Sequence, residues 1–233
     1  MPVKNCPLET QKKILILSYS FSGQTSGLLR QLQAGLQQEG HEIVKERLIP
    51  LTPLKFPTGS FVSCLKMMIT TFLRQRVPIQ LLSAPCHDHY DLILIGGPTW
   101  SYNPSGPILS LLDRDGRALF TGQTVLPVIS CRGYWRLHYF GLTHILKRCG
   151  AHIPNRIIFS HPNKEPWRTI GVFLKIAGKT PERWPILGRY YRHFGHSKEQ
   201  QEEAARFGRM LGKALRLGTP LANLDFSTTL TLS

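Results

Sequence analysis

Residues 13–25 read KILILSYSFSGQT, and their pattern decides the architecture. Lys13–Ser18 is an unbroken apolar run ending in small polar residues, as suits a strand buried on both faces of a parallel sheet. A helical pattern follows over about residues 24–39, with Leu28, Leu29, Leu32 and Leu36 on one side and Gly40 as a stop. Residues 41–48 (HEIVKERL) then alternate like an edge strand. Strand, helix, strand is the βαβ unit, and it forces parallel pairing.

The rhythm recurs. Residues 90–96 (YDLILIG) form a second buried run, followed by a Gly/Pro/aromatic loop and a short helix near 107–112. Residues 124–130 (TVLPVIS) form a third, ahead of a helix over 134–149 with apolar positions at Leu137, Phe140, Leu142, Ile145 and Leu146. Residues 156–160 (RIIFS) close the strand series. Residues 199–217 make a last helix, with Ser197 as N-cap and Gly218 as stop. The reading is one α/β domain over 1–233, a three-layer sandwich around a five-stranded, doubly wound parallel sheet.

Two basic insertions interrupt it, at about 50–85 and 162–197. The first carries a helical piece over 61–76 with Lys66, Arg74 and Arg76 and no acid. In the second, Lys164, Arg168, Lys175, Lys179, Arg183, Arg189 and Arg192 face only Glu165 and Glu182. Its interleaved Trp167, Phe173, Trp184, Tyr190, Tyr191 and Phe194 favour an ordered flap. The whole chain of 233 residues carries a formal net charge of +15, which points to an anionic partner: nucleic acid, a membrane surface, an acidic protein or a phosphorylated ligand. No apolar run reaches the roughly 18–20 residues of a membrane-spanning helix. The first twelve residues lack the apolar stretch of a signal peptide, so a cytoplasmic protein is expected. Five widely spaced cysteines (Cys6, Cys64, Cys86, Cys131, Cys149) without a CxxC fit a reducing compartment rather than a disulfide framework or a zinc site.

In a doubly wound sheet the ligand sits at the carboxyl ends of the strands, near the switch point. Three loops converge there. The first, residues 18–25, offers the hydroxyls of Ser20, Ser22 and Thr25, close backbone approach at Gly23, and the free N–H groups of a helix start. Such a loop cradles phosphate without a cationic side chain, although a Ser-rich capping turn would read the same way. It matches neither GxxxxGK[ST] nor GxGxxG, which disfavours an ATPase and a Rossmann dinucleotide site. The second, residues 96–106 (GGPTWSYNPSG), places Trp100 and Tyr102 beside a flat ligand, and the third, residues 130–135 (SCRGYW), adds Tyr134 and Trp135.

SxSGxT, GGPTW and the aromatic third loop together resemble the FMN-binding loops of the flavodoxin-like superfamily, over residues 13 to about 160 and the last helix. Within it, TWSYNPSGPILSLL, CRGYW and a basic Trp/Pro segment are most similar to the group labelled dialkylresorcinol condensing enzyme-like, or NAD(P)H-dependent oxidoreductase. The resemblance implies that Ser20, Ser22, Gly23, Gln24 and Thr25 hold the FMN phosphate. Pro98, Thr99, Trp100, Ser101 and Tyr102 would line one side of the isoalloxazine, and Ser130, Cys131, Arg132, Gly133 and Tyr134 the other. The electron-carrier flavodoxins are typically acidic, with an acidic third loop; here Arg132 stands in that loop. A guanidinium near N1 stabilises the anionic reduced flavin, so Arg132 is the candidate for tuning it, unless it points to solvent or pairs with an acid. Cys131 reads as a small residue beside the flavin rather than as a condensing nucleophile.

The implied activity is an FMN-dependent oxidoreductase, taking electrons from NAD(P)H to a quinone-like or aromatic acceptor. Two alternatives stand beside it: an electron-transfer protein docking an acidic partner, and a flavin-free accessory protein whose basic surface faces membrane or nucleic acid. No RNA- or DNA-binding signature accompanies the basic segments, so nucleic acid is disfavoured against a flavin lid or a peripheral contact with anionic lipid. A homo-oligomer is compatible with all three. No metal is expected: residues 86–89 (CHDH) read as a polar turn, and Asp88 and Asp91 are poorly placed as a catalytic pair. His138 and His144 read as ordinary helix residues.

Overall fold

A computed structural model describes residues 11–55, 61–163, 165–176, 178–191, 195–228 and 230. Cys6, Lys164, Arg192 and Phe194 lie outside the described residues. The elements run β1 (Lys13–Ser18), α1 (Gln24–Gln38), β2 (Glu42–Arg47), α2 (Phe61–Phe72), β3 (Leu92–Trp100), β4 (Asn103–Pro104), α3 (Gly106–Arg114), α4 (Gly116–Phe120), β5 (Val125–Cys131), α5 (Trp135–Arg148), β6 (Ile157–Ser160), α6 (Trp167–Ile176), α7 (Leu187–Tyr190) and α8 (Lys198–Leu217). Five strands pair in parallel in the order β2-β1-β3-β5-β6, and the two-residue β4 folds back antiparallel on β3.

The unbroken apolar runs follow from burial on both faces. Ile14 and Ile16 of β1 join Leu92 and Leu94 of β3 beneath α1 and α8, while Leu15 and Leu17 join Ile93 and Ile95 beneath α3, α4 and α5. α8 starts on a capping box, with Ser197 Oγ accepting from the Gln200 N–H, and stops on Gly218 at φ 67°. α1 and α8 touch backbone to backbone: a Cβ on Gly208 would stand 2.1 Å from the Leu32 carbonyl oxygen, and one on Gly35 2.2 Å from that of Ala205.

Two expectations need correction. β3 runs on to Trp100 rather than stopping at Gly96, because its ladder with β5 continues through Gly97 opposite Ile129 and Pro98 opposite Ser130. Gly96 and Gly97 serve packing there: a Cβ would meet Leu29 at 2.5 Å and Ile108 at 3.0 Å. In α5, Leu137 and Phe140 face outward, exposed by 63% and 71%. Its inner stripe is His138, Leu142 and Leu146, spaced for one helix face, and it admits a histidine because Thr99 bonds its ring. The second insertion is ordered into α6, a short 3-10 turn at Pro181–Arg183, and α7.

Gly208→Ala should lower the stability of the chain by about 1–3 kcal/mol, since neither helix backbone can yield without losing its seat on the sheet. Urea unfolding checks this, and an unchanged midpoint would contradict the close approach.

Candidate functional site

β2 lies on one side of β1 and β3 on the other, so the order in which strands are added reverses between β1 and β3, and a crevice opens at their carboxyl ends. Ser18 pairs with Gly96 there, and the Tyr19 N–H donates to the Gly96 carbonyl at 3.0 Å. The loop then turns into α1 through Gly23, whose φ of 82° places the residue in the left-handed region. Among the described residues no side chain caps α1, and a Cβ at Gly23 would find open space. Ser20 is buried, and its hydroxyl has no partner among the described residues. A buried hydroxyl beside uncapped helix N–H groups is the chemistry of an anion cradle.

The second loop is a two-residue hairpin between β3 and β4. Ser101 and Tyr102 have φ of 43° and 69°, as a type I′ turn requires, and each costs about 1–2 kcal/mol for a side-chain-bearing residue. The first insertion holds it in place. Asn103 Nδ2 donates to the carbonyls of Thr71, Phe72 and Ser101, and Ser101 Oγ donates to the Met68 carbonyl while lying 2.6 Å from Thr71 Oγ1. The last carbonyls of α2 are thereby satisfied. Trp100 is gripped edge-on by Tyr19 and Phe21, with centroids at 5.6 and 6.1 Å. Thr99 is oriented by His138, whose Nδ1 lies 2.7 Å from Thr99 Oγ1.

The third loop begins at Ser130, whose hydroxyl lies 2.7 Å from His196 Nε2. His196 Nδ1 lies 3.0 Å from Gln200 Oε1, an acceptor, so the Nδ1 proton points there and Ser130 donates to Nε2. The Cys131 thiol is pushed up to about 11 by burial and stays protonated, which does not suit a nucleophile. Arg132 neither points to solvent nor joins an ion pair among the described residues. Its guanidinium lies 5.1 Å above the Phe173 ring, and burial lowers its affinity for the proton. Its Nη1 is buried without a partner among the described residues. The acid nearby, Glu165, already accepts from Arg168 Nε at 3.0 Å and from Thr169.

A cavity of about 310 Å³ joins the three loops. Of the residues expected at the site, Ser22, Gln24, Thr25, Pro98, Thr99, Trp100, Ser101, Ser130, Cys131 and Arg132 line it. Five do not: Ser20 and Gly23 belong to the first loop without lining the cavity, Gly133 is covered by the Arg168 guanidinium, and Tyr102 and Tyr134 meet edge-to-face at 5.5 Å, each nearly half exposed. Met67, Met68, Thr70 and Thr71 of α2 and Phe173 of α6 complete the wall, so both insertions border the cavity. His138, His196 and Gln200 do not line it but hold Thr99 and Ser130, a role that was not expected of them. Their only sequence signal is a polar residue on the inner stripe of an amphipathic helix or beside its cap. Asp88 and Asp91 bind Lys13 and Lys12 at the opposite, amino end of β1.

No protein-family model matches the chain, and no curated protein does. Solved structures do resemble it. A protein from Bacteroides eggerthii DSM 20697, provisionally named a flavoprotein, is 18% identical and superposes on 73% of this chain and 100% of its own with a TM-score of 0.50. A flavoprotein from Lactobacillus acidophilus NCFM, solved in complex with FMN, is 22% identical over 62% of this chain and 91% of its own, with a TM-score of 0.49. Oxidised flavodoxin 1 from Bacillus cereus is 14% identical over 91% and 99%, with a TM-score of 0.46. The fold is flavodoxin-like. At these identities the likeness is one of architecture, and within it the chain's own residues must carry the chemistry.

His138 gives this site a measurable signature. Burial, reinforced by the Arg74 cation, depresses its pKa to about 3. Above the ordinary value near 6.5 neither the native nor the unfolded state takes the proton; as pH falls from there toward 3 only the unfolded chain binds it, and stability drops. Between pH 6.5 and 5 the loss should reach up to about 2 kcal/mol more than in His138→Gln, read as the difference in urea midpoints. Equal pH slopes in both proteins would contradict a neutral buried His138.

Proposed function

We propose that the cleft binds FMN and that the protein is an FMN-dependent oxidoreductase, passing electrons from NAD(P)H to a quinone-like or aromatic acceptor. The observation that carries the reading is the first loop. Ser20 is buried with an unanswered hydroxyl beside an uncapped α1, and that loop opens on an apolar slot at the β1/β3 switch point. The flavodoxin-like neighbour from L. acidophilus carries FMN, which agrees with the choice of ligand. A cavity of about 310 Å³ sits at the low end of the range for small-molecule sites.

On this reading Ser20, Ser22, Thr25 and the N–H groups of α1 hold the phosphate, with Gly23 giving the backbone its close approach. Pro98, Thr99 and Trp100 form one wall of the slot and Ser130, Cys131 and Arg132 the other. FMN, when bound, supplies reversible one- and two-electron chemistry. The chain's residues supply the field. Arg132 is desolvated and feels Glu165 only through space, with its Nη1 unbonded among the described residues, so negative charge arriving in the slot relieves a costly arrangement. Ser130 spends its proton on His196 and offers its oxygen lone pairs to the cavity. Thr99 is locked by a neutral His138, which places no second cation beside the slot.

The electron-carrier alternative asks for a redox edge open to a docking protein. The cavity is instead walled by Met67, Met68 and Phe173 from the two insertions, an apolar lining suited to a flat second substrate. NAD(P)H is chosen as donor because Arg132 and Lys55, both on the cavity, suit a polyanionic dinucleotide.

The test is spectroscopic. Protein loaded with FMN should lose its visible flavin absorbance on anaerobic addition of NADPH or NADH. In Arg132→Gln the two-electron midpoint potential should fall by roughly 30–60 mV, about 1.4–2.8 kcal/mol. Reduction by dithionite but by neither nicotinamide would assign the carrier role instead, and an unchanged potential would remove Arg132 from the account.

A further inference from the structure

α2 has two apolar faces. The inner one carries Met67 and Met68 to the cavity and buries Cys64. The outer one carries Val62, Leu65, Ile69, Phe72 and Leu73, spaced i, i+3, i+7, i+10 and i+11, and these five are 46% to 74% exposed. A single surface helix buries one stripe and wets the other; a helix apolar all round has something on both sides. The face extends beyond α2. The Arg74 guanidinium at its end would meet a Cβ on Gly141 at 2.3 Å, and Tyr102 in the hairpin that α2 holds touches Tyr134 at the start of α5. α5 continues with its own outward Leu137 and Phe140. Contiguous bare aliphatic and aromatic surface of this kind marks an interaction site.

The two helices that carry it hold charge of one sign, and the exposed Asp113 near the end of α2 is already paired with Arg76. Neither α2 nor α5 contains an acidic residue, and the chain has none between Glu46 and Asp88 or between Asp115 and Glu165. Lys66 projects from α2, and Arg136, Lys147 and Arg148 from α5, all exposed. A second copy of the chain would set these cations against themselves with no acid on either helix to answer them, and a net charge of +15 adds to the repulsion. Nucleic acid would answer the cations but not the Val, Leu, Ile and Phe stripe. A bilayer with anionic headgroups answers both, hydrocarbon for the stripe and phosphate for its cationic rim.

We propose that the outer face of α2, continued by α5, docks on an anionic lipid surface with the axis of α2 in the plane of the interface. α2 then separates the bilayer from the cavity. Where the oxidoreductase reading holds, the acceptor is of the lipid-soluble class and enters past Met67 and Met68. The docking itself depends only on the exposed face and stands whether or not FMN binds.

The experiment is flotation of the full chain with vesicles of phosphatidylcholine alone and of phosphatidylcholine with roughly 30% phosphatidylglycerol. The protein should float with the anionic vesicles and remain behind with the neutral ones. Ile69→Asp/Phe72→Asp, at exposed positions, should weaken anionic binding by at least about tenfold, and Lys66→Glu/Lys147→Glu likewise. FMN titration of both variants, read separately, should match the parent protein. Failure of the parent to bind anionic vesicles, equal binding to both kinds, or unchanged binding by the Asp variant would overturn the proposal. So would a dimer in sedimentation velocity that the Asp variant abolishes, since the face would then belong to a second copy.

Discussion

The parallel pairing of β1 with β3, which sets Ser18 beside Gly96, governs everything else in the molecule. Parallel neighbours cannot be joined by a tight turn, so each strand feeds a crossover, and the crossovers cover both faces of the sheet. Because β2 and β5 then extend the sheet in opposite directions, the loops leaving β1 and β3 part company and open a crevice between them. The first loop turns into α1 without a side-chain cap among the described residues, and the buried Ser20 hydroxyl in that loop has no partner among them. That deficit is local and specific: α1 and α8 pack closely enough that glycine is required at 35 and 208.

Around this frame the two insertions do different work. The first braces a strained hairpin: Ser101 and Tyr102 hold left-handed backbone because Asn103 and Ser101 satisfy the end of α2, and α2 in turn needs those bonds to finish. The second brings Phe173 against Arg132 and returns through Gly195, packed on Gln24, to His196 bonded to Ser130. The wall of the cavity is therefore tied to distant parts of the chain. The electrostatics follow the same division. Glu165 is bonded to Arg168 and Thr169, so it acts on Arg132 through space and forms no ion pair with it among the described residues.

Much of the frame was legible in the sequence because burial on both faces leaves a plain signature. KILILS, the Leu28–Leu36 stripe and the Ser197 to Gly218 helix all lie where their residues place them. What periodicity could not show was where pairing continues past the apolar core. Gly97 and Pro98 have no strand propensity, yet β5 offers them partners and β3 carries on to Trp100. The outward turn of Leu137 and Phe140 was hidden for a related reason: a helix with apolar residues all round does not reveal which stripe is inner until Thr99 claims His138. The site was legible by loop and not by side chain. Tyr102 and Tyr134 pair with each other at the rim, and Met67, Met68 and Phe173 come from insertions whose docking no local pattern encodes.

On the FMN reading, the loop after β1 cradles the phosphate through hydroxyls and helix N–H groups. Parallel calorimetric titrations with FMN and with riboflavin, which differ only in that phosphate, test it most directly. FMN should bind tighter by roughly a hundredfold or more, about 2.8 kcal/mol, and Ser20→Ala should erode the difference. Riboflavin binding as tightly as FMN, or neither binding, would contradict it.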